Sequence, residues 1–431
     1  MELSLLIVLA LLVAIILGFL TEINIGLFAI SFAYFIGAFV MKLKPGDIVM
    51  MWPLKIFFIL FSITLFYNFA IVNGTLEKFA MHLIYKFKQY PMYFPFIIFF
   101  VALVIAAMGA GFFAVAAFMY PLTLVLCEKI NMSRLLGVLS VALGAITGSN
   151  FMLSMGGVII TQLIAKAGYG EQAYTYAFDV FLSTAVFSLV LIVGVYVLTK
   201  GYKLKDAVLE MDKPDDLTRE QKINLYLILG VVVVVLAAPI ASIFAPTNPT
   251  IKLIKTNMDI GFVCIVAAAL ALLLKLGNEK QVMGRVPWGT IIMICGVGIL
   301  IETAVKAGTI KLLAGWVGSN IPSVLVPVVL GVVGGIMAAF SSVLGVVLPT
   351  MYPLVSGLSE TTGLPVSILF VAIQLGAISM GMSPFSGGGS LALAACHNEE
   401  SRQDLFPKLF FIVPAMASVT ILLIFIFQIL A

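Results

Sequence analysis

Two stretches of similar make-up, GAITGSNFMLSMGG from Gly144 to Gly157 and GAISMGMSPFSGGG from Gly376 to Gly389, interrupt long apolar runs. A transmembrane helix satisfies its own backbone, and Gly, Ser, Asn and Pro packed into its middle invite it to unwind. Unwound backbone at membrane depth survives only where protein buries it or where it lines a wet cavity. These breaks therefore constrain the fold more than any of the apolar runs around them.

The two stretches keep register with their surroundings. Met119-Tyr120-Pro121-Leu122 recurs as Met351-Tyr352-Pro353-Leu354; Pro121 precedes Gly144 by 23 residues, and Pro353 precedes Gly376 by the same 23. Ile71-Val72-Asn73-Gly74-Thr75 matches Val305-Lys306-Ala307-Gly308-Thr309, and Ile25-Gly26 matches Ile260-Gly261. This spacing predicts two homologous halves, residues 1–199 and 224–431, joined by a polar linker at 200–223. The bland alternative is that apolar, Gly-rich segments resemble one another by composition.

With 62% hydrophobic and 10% charged residues, the chain is expected to be an all-α polytopic membrane protein, with room for about ten spans of about 20 residues. Apolar runs predict spans at about 3–20, 24–41, 56–73, 174–199, 224–244, 260–276, 289–307 and from Pro407 onward. The N-terminus lacks the basic region and cleavage site of a signal peptide, so its first apolar run is expected to stay as a helix. An amphipathic segment, Thr75–Lys88, reads as a helix lying in the interface, with an interfacial turn at Ile310–Val317 as its counterpart. His82 lies on the polar face of that segment and reads as a surface residue. Apolar segments at about 92–127 and 324–357 are split near Met108-Gly109-Ala110-Gly111 and at Ser341-Ser342, which leaves pieces short for a crossing. They read as re-entrant hairpins. Broken helices follow at about 134–166 and 365–396.

Each half then crosses five times, an odd number, so the second half is expected to be inverted relative to the first. Lys200, Lys203, Lys205, Lys213, Arg219 and Lys222 place the linker in the cytoplasm by the positive-inside tendency. The first hairpin then enters from the cytoplasm and the second from outside. The net charge of +4 gives no support to nucleic-acid binding. Cys127, Cys264, Cys295 and Cys396 stand alone and read as free packing thiols.

Inverted repeats with discontinuous helices are an architecture in which secondary transporters place substrate near the midplane. Helix N-termini freed at the breaks direct N–H groups and partial positive charge at the cavity, which suits a carboxylate-bearing solute. The candidate substrate-binding residues are Thr147, Gly148, Ser149, Asn150 and Ser154 in the first copy. In the second they are Ser379, Gly381, Ser383, Ser386, Gly387 and Ser390, with Ser341 and Ser342 at the hairpin tip. Small residues also let helices pack closely, and that reading stands beside the functional one. Gly109, Gly111, Asn150 and Glu302 are candidates for ion coupling; Glu302, inside a span, has Lys306 one turn later as a neutralising partner. The alternative to a secondary carrier is a channel or an uncoupled exchanger for a small anion; a channel would want a continuous polar stripe or charged ring, and an intramembrane enzyme a set such as H-E-x-x-H. Neither is present, so the chain does not read as an enzyme.

The order of interfacial helix, hairpin ending in the MYPL motif and Gly-broken helix, given twice, resembles the ion transporter superfamily, especially divalent anion sodium symporters and citrate or C4-dicarboxylate carriers. Ile23-Asn24-Ile25-Gly26-Leu27 and Asn73-Gly74-Thr75-Leu76-Glu77 look more particularly like bacterial malonate and dicarboxylate carriers. The resemblance implies an elevator-type carrier of small di- or tricarboxylates, coupled to Na+ or H+ and without a cofactor. It also implies a homodimer in the bilayer of a prokaryotic inner membrane. Where the sodium symporters carry Ser-Asn-Thr at each hairpin tip, this chain reads Gly111-Phe112-Phe113 and Val343-Leu344-Gly345.

Overall fold

A computed structural model describes residues 2–206, 212–245, 248–396 and 398–430; residues 207–211 of the linker lie outside them. Every regular element among the described residues is helical. The first half runs α1 (Glu2–Thr21), α2 (Ile25–Phe35), α3 (Pro45–Val49), α4 (Leu54–Val72), α5 (Thr75–Lys86), α6 (Phe94–Ile105), α7 (Gly111–Lys129), α8 (Arg134–Ser149), α9 (Met155–Ile164) and α10 (Ala173–Leu198). The second runs α11 (Arg219–Phe244), α12 (Pro249–Asn257), α13 (Ile260–Leu273), α14 (Glu279–Gly284), α15 (Trp288–Lys306), α16 (Thr309–Asn320), α17 (Val326–Phe340), α18 (Leu348–Met351), α19 (Val355–Thr362), α20 (Val366–Met380), α21 (Gly387–Ala394) and α22 (Glu399–Leu430). Among the described residues, eight helical stretches are long and apolar enough to cross a membrane, and four shorter apolar ones accompany them. The chain is an integral membrane protein.

Matched sequence positions start matched elements. Asn24 caps α2 by accepting from the Gly26 N–H, and Asp259 caps α13 by accepting from the Gly261 and Phe262 N–H groups. Gly74 and Gly308, both left-handed at φ 71° and 73°, turn the chain into α5 and α16. A side chain at either position would be strained there, because L-residues avoid that region. The expected interfacial turn at 310–317 is in fact the full helix α16. The pattern of hydrophobicity missed the short helices α3, α12 and α14, whose few residues give no periodic signal.

The chain packs as two compact units that cut across the sequence halves: one of residues 1–56, 159–195 and 288–431, the other of 57–158 and 196–287. In the first unit α2 lies against α15. A Cβ on Gly26 would fall 2.4 Å from the Ile292 carbonyl oxygen, and Asn24 Nδ2 donates to the Gly289 carbonyl at 2.7 Å. In the second unit α13 lies against α4 through Phe58 and Phe262, rings 4.7 Å apart. The linker folds back in this unit, where His82 Nε2 lies 3.0 Å from the Asp215 carbonyl. Cys127, Cys264 and Cys295 are buried free thiols.

Both hairpins double back, each against a helix of its own unit. On α8, Gly137 meets Thr123 and Cys127, Gly144 meets Phe99, and Gly148 meets Leu103 and Ala106, while Gly111 faces Met155. So α6 runs alongside α8 in the same direction and α7 returns against it. Gly109 (φ 104°) and Gly111 (φ 70°) make the reversal. In the other unit Gly331 meets Ala372 and Gly376, Gly335 meets Met380, and Gly334 meets Val347 and Met351 of the returning arm. That hairpin turns at Ser341 and Ser342, both extended.

Candidate functional site

The two breaks fall in different units. In the unit of residues 57–158 and 196–287, α8 ends at Ser149, the chain turns through 150–154, and α9 restarts at Met155. Gly156 and Gly157 make this possible: a Cβ on the former would fall 2.7 Å from the Ser149 carbonyl oxygen, and on the latter 2.1 Å from that of Phe151. The hairpin tip sits beside the turn, because buried Ser154 donates its hydroxyl to the Ala106 carbonyl at 2.7 Å. Thr147 donates back to the Leu143 carbonyl at 2.7 Å. Among the described residues Ser149 Oγ is buried without a hydrogen-bond partner, and so is the hydroxyl of Tyr67, whose ring lies under the tip, 2.1 Å from where a Gly109 Cβ would be. Buried polar atoms seldom stay unpaired. The structure thus gathers Gly109, Gly111, Thr147, Gly148, Ser149, Asn150 and Ser154 into one place and adds Tyr67. Sequence reading missed that residue because an aromatic within a run of apolar residues carries no sign of function.

In the other unit α20 ends at Met380 and α21 restarts at Gly387. Ser386 organises the turn: its hydroxyl lies 2.7 and 2.8 Å from the Gly381 and Ser383 carbonyls and accepts from the Gly389 N–H at 3.3 Å. Ser383 Oγ accepts from Phe385 N–H at 3.4 Å; Ser379 and Ser390 donate to the Gly376 and Gly387 carbonyls. A Cβ on Gly389 would meet the Ser383 carbonyl oxygen at 2.1 Å, the counterpart of Gly157 against Phe151. At the hairpin tip Ser342 accepts from Gly345 N–H at 3.1 Å and Ser341 donates to the Met337 carbonyl at 2.6 Å. These hydroxyls hold the backbone of the break. Gln374 Oε1, buried in α20 six residues before its end, has no partner among the described residues.

Glu302 lies in the unit of residues 1–56, 159–195 and 288–431. It lines a cavity of about 510 Å³ with Asp47, Trp52, Lys55, Gln162, Lys166 and Lys306, among others. Its partner corrects the expected one: Glu302 Oε2 pairs with Lys166 Nζ at 3.0 Å, where Lys306 on its own helix had been expected. Lys166 lies in the π-helical turn Ala165–Tyr169 after α9, which the sequence gives no reason to bring to α15. Both side chains are about one-third exposed, so the pair contributes about 0–1 kcal/mol to stability.

A helical membrane protein with hairpins meeting broken helices is therefore the class this fold defines. Residues 1–149 match the family described as the dicarboxylate carrier protein MatC N-terminus. No curated protein matches the chain in sequence. Among solved structures it is similar to the YdaH transporter of Alcanivorax borkumensis, at 14% identity and a TM-score of 0.57, covering 88% of this chain and 86% of that one. It is also similar to MtrF of Neisseria gonorrhoeae, described as one of a class of antimetabolite efflux pumps, at 11% identity and a TM-score of 0.52, covering 90% and 83%. At these identities the likeness shows the fold. Together with the family match it supports a transporter and gives no support to an enzyme.

Proposed function

We propose that the chain is a secondary active transporter of small organic anions, di- or tricarboxylates, working by elevator-like alternating access coupled to Na+ or H+. The observation that carries this is an apolar helix, packed against the hairpin arm through Gly335 and Met380, that stops at Met380 and restarts at Gly387. A helix start leaves four N–H groups without intrahelical partners; the Ser386 side chain takes that of Gly389 and the Ser383 carbonyl that of Ser386. The remainder favour an anion. The match of residues 1–149 to a dicarboxylate carrier family supports a carboxylate as that anion. Inverted halves, a homodimer and a prokaryotic inner membrane complete the reading.

Purified protein in proteoliposomes tests it. Uptake of radiolabelled succinate, malonate or citrate should saturate and show counterflow, and an imposed Na+ or H+ gradient should drive it. Ohmic conductance without saturation, or no carboxylate flux under either gradient, would overturn it.

A further inference from the structure

The cavity around Glu302 is distinct in its chemistry from the neutral, hydroxyl-rich breaks. Its lining carries three cationic side chains, Lys55, Lys166 and Lys306, against two carboxylates, Asp47 and Glu302. At about 510 Å³ it is within the size of pockets that hold small ligands. Lys166 also lines an apolar crevice of about 20 Å³ with Pro53, Leu163, Ile301, Pro349 and Pro353. The last two belong to the returning arm of the hairpin. The crevice has room for about one water. Lys166 therefore stands where a wide charged vestibule narrows to an apolar gap, and Glu302 occupies its ammonium at 3.0 Å.

From this geometry we propose that the vestibule is a capture site for carboxylate anions, in which a ligand carboxylate displaces Glu302 from Lys166. Lys166 is the contested group. An ammonium offers three donors, and a pair left one-third exposed exchanges partners at little cost. Lys55 and Lys306 supply the surplus positive charge that draws an anion in, while the displaced Glu302 carboxylate repels it and sets a limit on affinity. The proposal rests on the carrier reading only for the choice of carboxylate as the anion.

Trp52 lines the vestibule and reports on it. In the full-length protein with Trp288→Phe and Trp316→Phe, Trp52 fluorescence is titrated with succinate, and separately with citrate, at constant ionic strength in detergent. A saturable change is expected. Lys166→Gln should weaken the apparent affinity by about tenfold or more. Glu302→Gln should strengthen it by about three- to tenfold, since it removes the internal competitor while keeping the side chain's shape. A merely structural ion pair would make both variants shift together, and that result overturns the proposal, as does the lack of a saturable response to either anion. Circular dichroism of each variant confirms that it is folded, and Lys166→Arg, which keeps the charge, should restore binding if Lys166→Gln does not fold. Opposite shifts without carboxylate uptake in proteoliposomes would keep the capture site and remove the carrier reading.

Discussion

Replacing Gly148 with alanine should loosen the hairpin from the helix it doubles back against. An added methyl would lie 2.1 Å from the Leu103 carbonyl oxygen and 2.9 Å from both Ala106 Cβ and Ala107 N. Ordinary contact begins at 3.4 Å, so α6 and α8 must part by more than 1 Å. The obstructing atoms are backbone or a Cβ and have no rotamer to escape into. Overpacking of this kind costs about 1–3 kcal/mol, and immovable partners argue for about 2–3. At about 1 °C per kcal/mol for a chain of 431 residues, the melting temperature should fall by about 2–3 °C. The buried thiols of Cys127, Cys264 and Cys295 provide the readout, since a thiol-reactive dye reports unfolding as they become exposed. Gly194→Ala is the control: among the described residues no atom outside its own helix turn lies within 4 Å of its added methyl, and helix propensity alone favours the change. A Gly148→Ala protein that melts within about 1 °C of Gly194→Ala would refute the packing argument, and with it the placement of the hairpin tip beside Ser149.

Ser154→Ala removes the donor to the Ala106 carbonyl, a bond between buried groups, and should cost about 1–3 kcal/mol; unchanged thermal stability would contradict it. Ser386→Ala removes the cap of an eight-residue helix, a loss of about 0.5–2 kcal/mol. Fraying of α21 should then speed maleimide labelling of Cys396, two residues beyond its end, by about 2–30-fold in a background lacking the other cysteines; a wild-type rate would count against the capping role. Asn24→Ala loses both the cap of α2 and the bond to Gly289, whereas Asn24→Asp keeps the first and loses the second. Melting temperatures should therefore rank wild type, then Asp, then Ala, and an Asp variant as unstable as Ala would show that the cap contributes nothing.

How far the sequence speaks depends on whether a feature is local. Gly109 and Gly111 announce a reversal because glycine adopts their positive φ without the strain other residues meet, and Gly74 and Gly308 start their helices for the same reason. The breaks at 150–154 and 381–386 are legible likewise, since the residues that unwind the helix are the ones that hold the unwound turn. Tertiary partners leave no such trace. Nothing near Lys166 names Glu302, 136 positions later, and the helical spacing of Glu302 and Lys306 points to the nearer lysine. The hydroxyls show the same limit in reverse. Sequence groups Ser149, Ser383 and Ser386 as alike, but Ser386 and Ser383 are occupied by the turn they stabilise while Ser149 stays buried and unpaired. A ligand gains most from the group that has no other partner, so within its break Ser149 is the hydroxyl whose loss should weaken substrate binding with the least effect on stability. Removal of Ser386 should do the opposite.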